Sequence, residues 1–395
     1  MYKAVYIDRN STDKRYPNTP NDGDKFFTHG FGSLHSRWFK KINPDIDVEC
    51  WKADSRIKKI VVKEIEGVKF IMFPSTQIDK LGHLSFGMIK ELKHRIKIKE
   101  NIIVNLSSIR HLLFYSIAFY TRHIPLVLQH HGETTAYYKY KIAKGLKKIF
   151  YLLQIPIEYL TMKNIDIFYA LDKDIRNYFM GKLKNIEIQI RPTGVNETIF
   201  KPINKADAKK ILGLDINKRY LLYVGRLNNT KHPDILIEAY KEIKKERNDL
   251  DLILAGHEKS DPLYNYAKES GAIMYGVILQ TELYKYLSAA DVYILAKLDE
   301  AIPFGGIGEL SVQALYCETP IAGSTVKCFP EENRDKVGII SNDKETLIKA
   351  IKEILDSDGR YINLREKAID FYSWKGICQK TEEDYSILAK KYYEH

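Results

Sequence analysis

A chain of 395 residues with an ordinary apolar share is long enough for two domains, each burying its own core, and it carries a net charge of +11. No apolar run reaches the roughly 18 residues of a membrane-spanning helix, Leu112 to Tyr120 being the best. The four cysteines, Cys50, Cys317, Cys328 and Cys378, lack metal-site spacing or a compact disulfide framework, so reduced thiols are expected.

Along the chain, Met1 to Ile7 reads as a first strand rather than a signal peptide, and a cytoplasmic location is expected. Short apolar runs follow at Val68–Phe73, Ile102–Leu106, Leu126–Gln129 and Ile167–Leu171, with helical patterns between several of them. That alternation predicts a parallel sheet covered by helices. It begins again after Pro202, with Tyr220–Val224, Leu252–Ala255, Val292–Leu295 and Pro320–Ala322 as strands. Two doubly wound domains are expected, divided near Phe200 to Leu214. Leu364 to Ile387 is helical in pattern but interrupted around Tyr372-Ser373-Trp374.

Charge divides unevenly, with a net of +13 over residues 1–200 and −2 over residues 201–395. Two readings stand: a solvated Lys-rich surface, or a cationic face toward anionic lipid or a phosphorylated acceptor. No nucleic-acid-binding motif or concentrated basic helix stands out, so nucleic acid is not an expected partner. Tyr137 to Tyr159 mixes five lysines with aromatics and Leu/Ile, which suits either an interfacial helix or one packed on its domain with a solvated Lys face.

The stretch Leu221 to Lys231 breaks an apolar strand at Gly225 and delivers Arg226 and Lys231 together at its end. A planar guanidinium fork and a point charge suit a diphosphate. Further on, Gly305-Gly306-Ile307-Gly308 opens a helical pattern, so backbone N–H groups and a helix dipole can meet the same anion. The ligand expected from these residues is a nucleotide diphosphate.

Val224 to Ala239, V-G-R-L-N-N-T-K-H-P-D-I-L-I-E-A, resembles the start of the C-terminal domain of retaining glycosyltransferases of family 4. Arg191 to Asn196 with Phe200 and Pro202, Ala289 to Leu295, and Phe371 to Trp374 are similar to further blocks of that family, in order, over roughly residues 120 to 390. The resemblance implies an α/β GT-B fold, two doubly wound Rossmann-like domains facing a central cleft. Its divisions would be 1–200 for the acceptor, 201–370 for the nucleotide sugar, and a helical segment 371–395 crossing back, with Trp374 as a packing anchor there.

The implied reaction is sugar transfer from a nucleotide-diphosphate donor to an acceptor hydroxyl with retention, in cell-surface glycan or glycolipid synthesis, with Arg226 and Lys231 stabilising the departing phosphate. The acceptor would be a glycan or a lipid-linked group, no cofactor is implied, and no metal dependence is expected. Gly225 and the Gly305, Gly306, Ile307, Gly308 loop would bind the donor. The Asp172-Lys173-Asp174 triplet has metal-site spacing but begins a helix, where capping is expected.

In Gln129-His130-His131-Gly132-Glu133, at a strand's C-terminal end, the resemblance puts His131 at the donor sugar and leaves His130 for the acceptor. A satisfied polar residue after a buried strand is the alternative for both. Gly32, in Gly30-Phe31-Gly32, stands near the family's glycine-rich first loop and is offered for the acceptor.

The sequence departs from the family at two carboxylates, where Gly305 and Gln313 occupy the aligned places. Gln313 can still bond a ribose. Glu309, one turn before Gln313, can replace the missing sugar contact or cap its helix, and Glu300 is the reserve. Glu318 replaces the usual glycine of the turn before Pro320. The missing carboxylates motivate an alternative, a non-catalytic nucleotide-sugar or glycan-binding homologue. A Rossmann dehydrogenase is disfavoured because the first βα turn lacks G-x-G-x-x-G.

Overall fold

The computed structural model describes residues 2–9, 23–78, 82–108, 111–183, 186–229, 231–296, 308–357 and 359–394. They form two compact units, Met1–Pro192 with Trp374–His395, and Thr193–Ser373.

In the first unit the strands are β1 (Lys3–Arg9), β2 (Asp47–Asp54), β3 (Val61–Ile65), β4 (Val68–Pro74), β5 (Thr76–Ile78), β6 (Gly82–Leu84), β7 (Ile102–Leu106), β8 (Leu126–Gln129), β9 (Ile167–Ala170) and β10 (Glu187–Ile190). Eight make one sheet in the order β10-β9-β8-β7-β1-β2-β4-β3, and β5 with β6 forms a separate hairpin. Only β3 runs antiparallel to its neighbour in the large sheet. Strands β7, β8 and β9 are buried at every residue, as parallel strands covered on both faces must be, and so they read as plain apolar runs.

β2 is different. It carries Glu49, Lys52 and Asp54 in a central position, all buried. Each has partners: Glu49 accepts from the Trp51 indole at 2.7 Å, Lys52 donates to the Phe27 carbonyl, the His29 carbonyl and Ser33, and Asp54 pairs with Arg56. Burying such groups unpaired would cost several kcal/mol.

The helix Trp374–Tyr393 belongs to this first unit. Trp374 is buried, stacked on Trp38 with ring centroids 5.9 Å apart and edge-on to His35 at 4.8 Å, which is an anchor's environment. Tyr385 on the same helix accepts from Asn105 of β7, and Asp384 takes the Tyr169 hydroxyl and pairs with Arg191.

The second unit holds β11 (Arg219–Val224), β12 (Leu250–Ala255), β13 (Ile273–Met274), β14 (Val292–Leu295), β15 (Ile321–Gly323) and β16 (Gly338–Ile339). All pair in parallel in the order β13-β12-β11-β14-β15-β16, the strand order of a doubly wound α/β sheet. The unit begins at Thr193, earlier than the 200 expected from sequence, because Val195 is already tied in. Its N–H donates to the Tyr372 carbonyl, and Phe200 lies in this unit's core.

Glu318 sits at φ 61°, the left-handed conformation that favours glycine. Its carboxylate accepts from the Leu364 and Arg365 N–H groups at 2.8 and 3.0 Å, the exposed N-terminal donors of the helix Leu364–Tyr372. The departure from glycine thus exchanges some backbone strain for a charged helix cap.

Candidate functional site

In each unit the strand order reverses beside the first strand, between β1 and β7 and between β11 and β14. Ligands of open α/β sheets bind outside the carboxyl ends of strands at such reversals.

In the second unit, β11 ends at Val224 and the chain turns at Gly225, φ 153°. A Cβ built on Gly225 would lie 3.1 Å from the Tyr223 hydroxyl and 3.5 Å from the Lys231 ammonium, so Lys231 reaches back over the strand end. Burial holds the Lys231 pKa below its ordinary value. Among the described residues no carboxylate pairs with it.

Arg226 is placed otherwise. Its Nε and Nη2 donate to one oxygen of Asp261 at 2.9 and 2.7 Å, and the other oxygen accepts from the Leu227 and Glu258 N–H groups. Burial pushes the Asp261 pKa upward, but these backbone donors and Arg226 outweigh it and hold the carboxyl below the usual range. The guanidinium is therefore aimed by a fixed carboxylate while its side chain stays 39% exposed. Sequence reasoning missed Asp261 because 35 residues of chain separate it from Arg226. It also passed over His257, just past β12, a buried imidazole whose pKa is lowered by burial against the pull of Asp261 and the Leu254 backbone.

Across the strand reversal stands the helix Glu309–Tyr316, with Gly308 as its N-cap at φ 81°. A Cβ on Gly308 would lie 4.0 Å from Leu295, the last residue of β14, which places this helix end beside the same sheet edge. Among the described residues no side chain caps it. Gln313 donates its amide to Glu309 at 2.8 Å, one turn away, and the Gln313 carbonyl oxygen is buried with no partner among the described residues. Crowding around the Glu309 carboxyl raises its pKa against that bond, although the residue as a whole is exposed. Gly305, Gly306, Ile307 and Glu300 lie outside the described residues.

The first unit corrects two expectations. Gly32 does not present a free N–H: it donates to the Asp8 carboxylate at 3.0 Å, at the start of the helix Phe31–Ile42. A Cβ there would meet Ser107 at 2.6 Å and Asp8 at 2.8 Å, so the glycine is needed for close approach of helix and sheet. The protein's own carboxylate takes the place of an external anion. His130 is fully buried, with Nε2 at 2.8 Å from the Glu133 carbonyl and Nδ1 accepting from the Gly132 N–H at 3.2 Å. It braces its own turn rather than offering a nitrogen to an acceptor.

Among the described residues His131 has no partner for either ring nitrogen, its ring stacked on Phe31 at 4.3 Å and edge-on to His35 at 5.6 Å. Asp172 accepts from the Ile175 N–H at 2.8 Å and caps the helix Lys173–Met180.

Burial depresses the pKa of His35 and His130 to about 4 each and that of His131 well below the usual value. Their folded pKa values lie below the unfolded value of about 6.5, so their stabilising contribution is complete above that pH and is lost as pH falls. Three extra protons taken up on unfolding give a slope of at most about 4 kcal/mol per pH unit near pH 5. Trp38, Trp51 and Trp374 all lie in the first unit, so tryptophan fluorescence reads it selectively. Its denaturant midpoint is expected to drop sharply between pH 7 and pH 5, and equal midpoints would show that these imidazoles are not held neutral.

Residues 204–371 match the family model of glycosyl transferases group 1. A D-inositol 3-phosphate glycosyltransferase of Thermobispora bispora is 28% identical over 218 residues, half of this chain and half of that one. The chain thus spans about half the length of the curated relatives it matches. Among solved structures, a sucrose-phosphate synthase of Thermosynechococcus elongatus superposes with a TM-score of 0.68 at 16% identity, covering 98% of this chain and 99% of that one. Anabaena HepE in complex with UDP and glucose gives 0.64 at 14% identity, covering 98% and 100%.

Proposed function

We propose that this chain, which has a GT-B fold and whose residues 204–371 belong to glycosyl transferases group 1, moves a sugar from a nucleotide-diphosphate donor to an acceptor hydroxyl with retention of configuration. The observation that carries this reading is Lys231, a desolvated ammonium with no carboxylate partner among the described residues. It lies over the end of β11, beside the aimed guanidinium of Arg226 and at the strand reversal where the helix Glu309–Tyr316 begins.

In the proposed reaction the bond between the anomeric carbon and the donor's phosphate oxygen breaks, and its electron pair leaves with the nucleoside diphosphate. Lys231, Arg226 and the N-terminal end of the helix Glu309–Tyr316 meet that growing charge, the term that usually dominates catalysis. The acceptor oxygen bonds to the anomeric carbon on the face the phosphate leaves, and its proton passes to the departing phosphate oxygen. No protein base is then required. For the first unit, His131 is the proposed polar contact to substrate, since its two ring nitrogens have no partner among the described residues.

The fixed cations supply the charge that a metal would otherwise bring, and activity is expected to survive chelation. A glycan or lipid-linked hydroxyl of the kind used in cell-surface synthesis is the proposed acceptor class, on the strength of the sequence resemblance. UDP and UDP-glucose are the first probes, because the Anabaena neighbour was solved with UDP and glucose. The test is a screen of nucleotide diphosphates and nucleotide sugars for a rise in melting temperature, followed by assay of donor consumption. Binding with neither transfer nor hydrolysis would make the chain a nucleotide-sugar-binding homologue.

A further inference from the structure

The helix Leu146–Met162 is inside out. Gln154, Glu158 and Met162 are buried, and Glu158 accepts from the Ala136 N–H at 2.9 Å to cap the neighbouring helix Ala136–Ile142. Leu146, Ile149, Leu153, Ile157 and Leu160 face outward at helical spacing, and Leu146, Leu153 and Leu160 are 85%, 65% and 61% exposed. A soluble surface normally reverses that pattern, and a contiguous apolar stripe of this kind marks an interaction face. Beside it the exposed Phe119 and Tyr120 border a groove of about 450 Å³ that Ile157 and Leu160 also line.

Charge identifies the partner. From Thr134 to Ile165 there are six lysines, and Glu158, buried beneath the helix, is the only acidic residue. Lys144, Lys147 and Lys148 crowd the N-terminal end of the stripe and Lys163 lies just past its other end. A second copy of this chain would set those lysines against the same lysines. An anionic bilayer instead offers hydrocarbon to the leucines and negative headgroups to the lysines. Among the described residues no helix is long and apolar enough to cross a membrane.

We propose that the outward face of the helix Leu146–Met162, with its flanking lysines, is a docking surface for an anionic lipid bilayer, on which this helix lies in the plane of the interface. The basic excess of the first half thereby acquires a location.

The test uses the full chain, without nucleotide or acceptor, so that it stands or falls apart from sugar transfer. Vesicles of phosphatidylcholine alone and of phosphatidylcholine with phosphatidylglycerol are sedimented with the protein. Recovery is expected on the anionic vesicles and to weaken as salt is raised. Leu153→Glu with Leu160→Glu, both at exposed positions, is expected to weaken binding by roughly tenfold or more at unchanged melting temperature. Lys147→Gln with Lys148→Gln is expected to remove most of the anionic preference, again by roughly tenfold or more. Equal recovery on both vesicle types, or undiminished binding of the double Glu variant, would overturn the proposal. A concentration-dependent dimer that the Glu substitutions dissociate, without any vesicle binding, would overturn it in favour of a contact between copies.

Discussion

Lys231→Ala is expected to lower turnover by roughly 100-fold or more, because an ammonium aimed at a leaving phosphate supplies a few kcal/mol that water cannot replace. The fold should not suffer, since among the described residues Lys231 has no ion-pair partner to leave stranded. Arg226→Ala is expected to cost a similar factor, but it removes one partner of a carboxylate that backbone donors also hold. Steady-state kinetics and melting temperature together check both. Near-normal turnover in the two variants would remove the core of the proposed mechanism.

The second large effect is expected at Glu309. Glu309→Gln keeps size and much of the hydrogen-bonding capacity while removing the charge. If this carboxylate replaces the sugar contact missing at position 305, turnover is expected to fall by roughly 10- to 100-fold with the melting temperature unchanged. A stabilising residue in the helix's first turn would instead lose melting temperature and keep its rate. The bond from Gln313 sharpens this expectation, because it ties the carboxyl to the residue standing in for the second missing carboxylate. Should Glu309→Gln and Glu300→Gln both keep full activity, the relocated carboxylate is excluded.

Legibility from sequence followed burial. Strands β7, β8, β9, β11 and β14 are buried on both faces by apolar side chains and are plain in the sequence. β2 was not legible, since its interior Lys52 is satisfied by the Phe27 and His29 carbonyls and by Ser33, which only the fold brings near. β13 and β16 have two residues each, too few to carry a period. At the site, the aiming of Arg226 by Asp261 and the occupation of the Gly32 amide by Asp8 depend on contacts across 35 and 24 residues, respectively. A sequence names the cations, whereas their counter-ions are chosen by topology.

Because the helix Trp374–Tyr393 completes the first unit's core, that unit is discontinuous in the chain. During synthesis on a ribosome, residues 193–373 emerge as a contiguous block and can close on themselves at once. Residues 1–192, although made first, lack Trp374 against Trp38 and Tyr385 against Phe39 until that helix is made. The order of folding is thereby set against the order of translation, the reverse of the usual N-terminal-first sequence for successive domains. Until the last turn leaves the exit tunnel, the aromatic floor of the older half is exposed and open to chaperones.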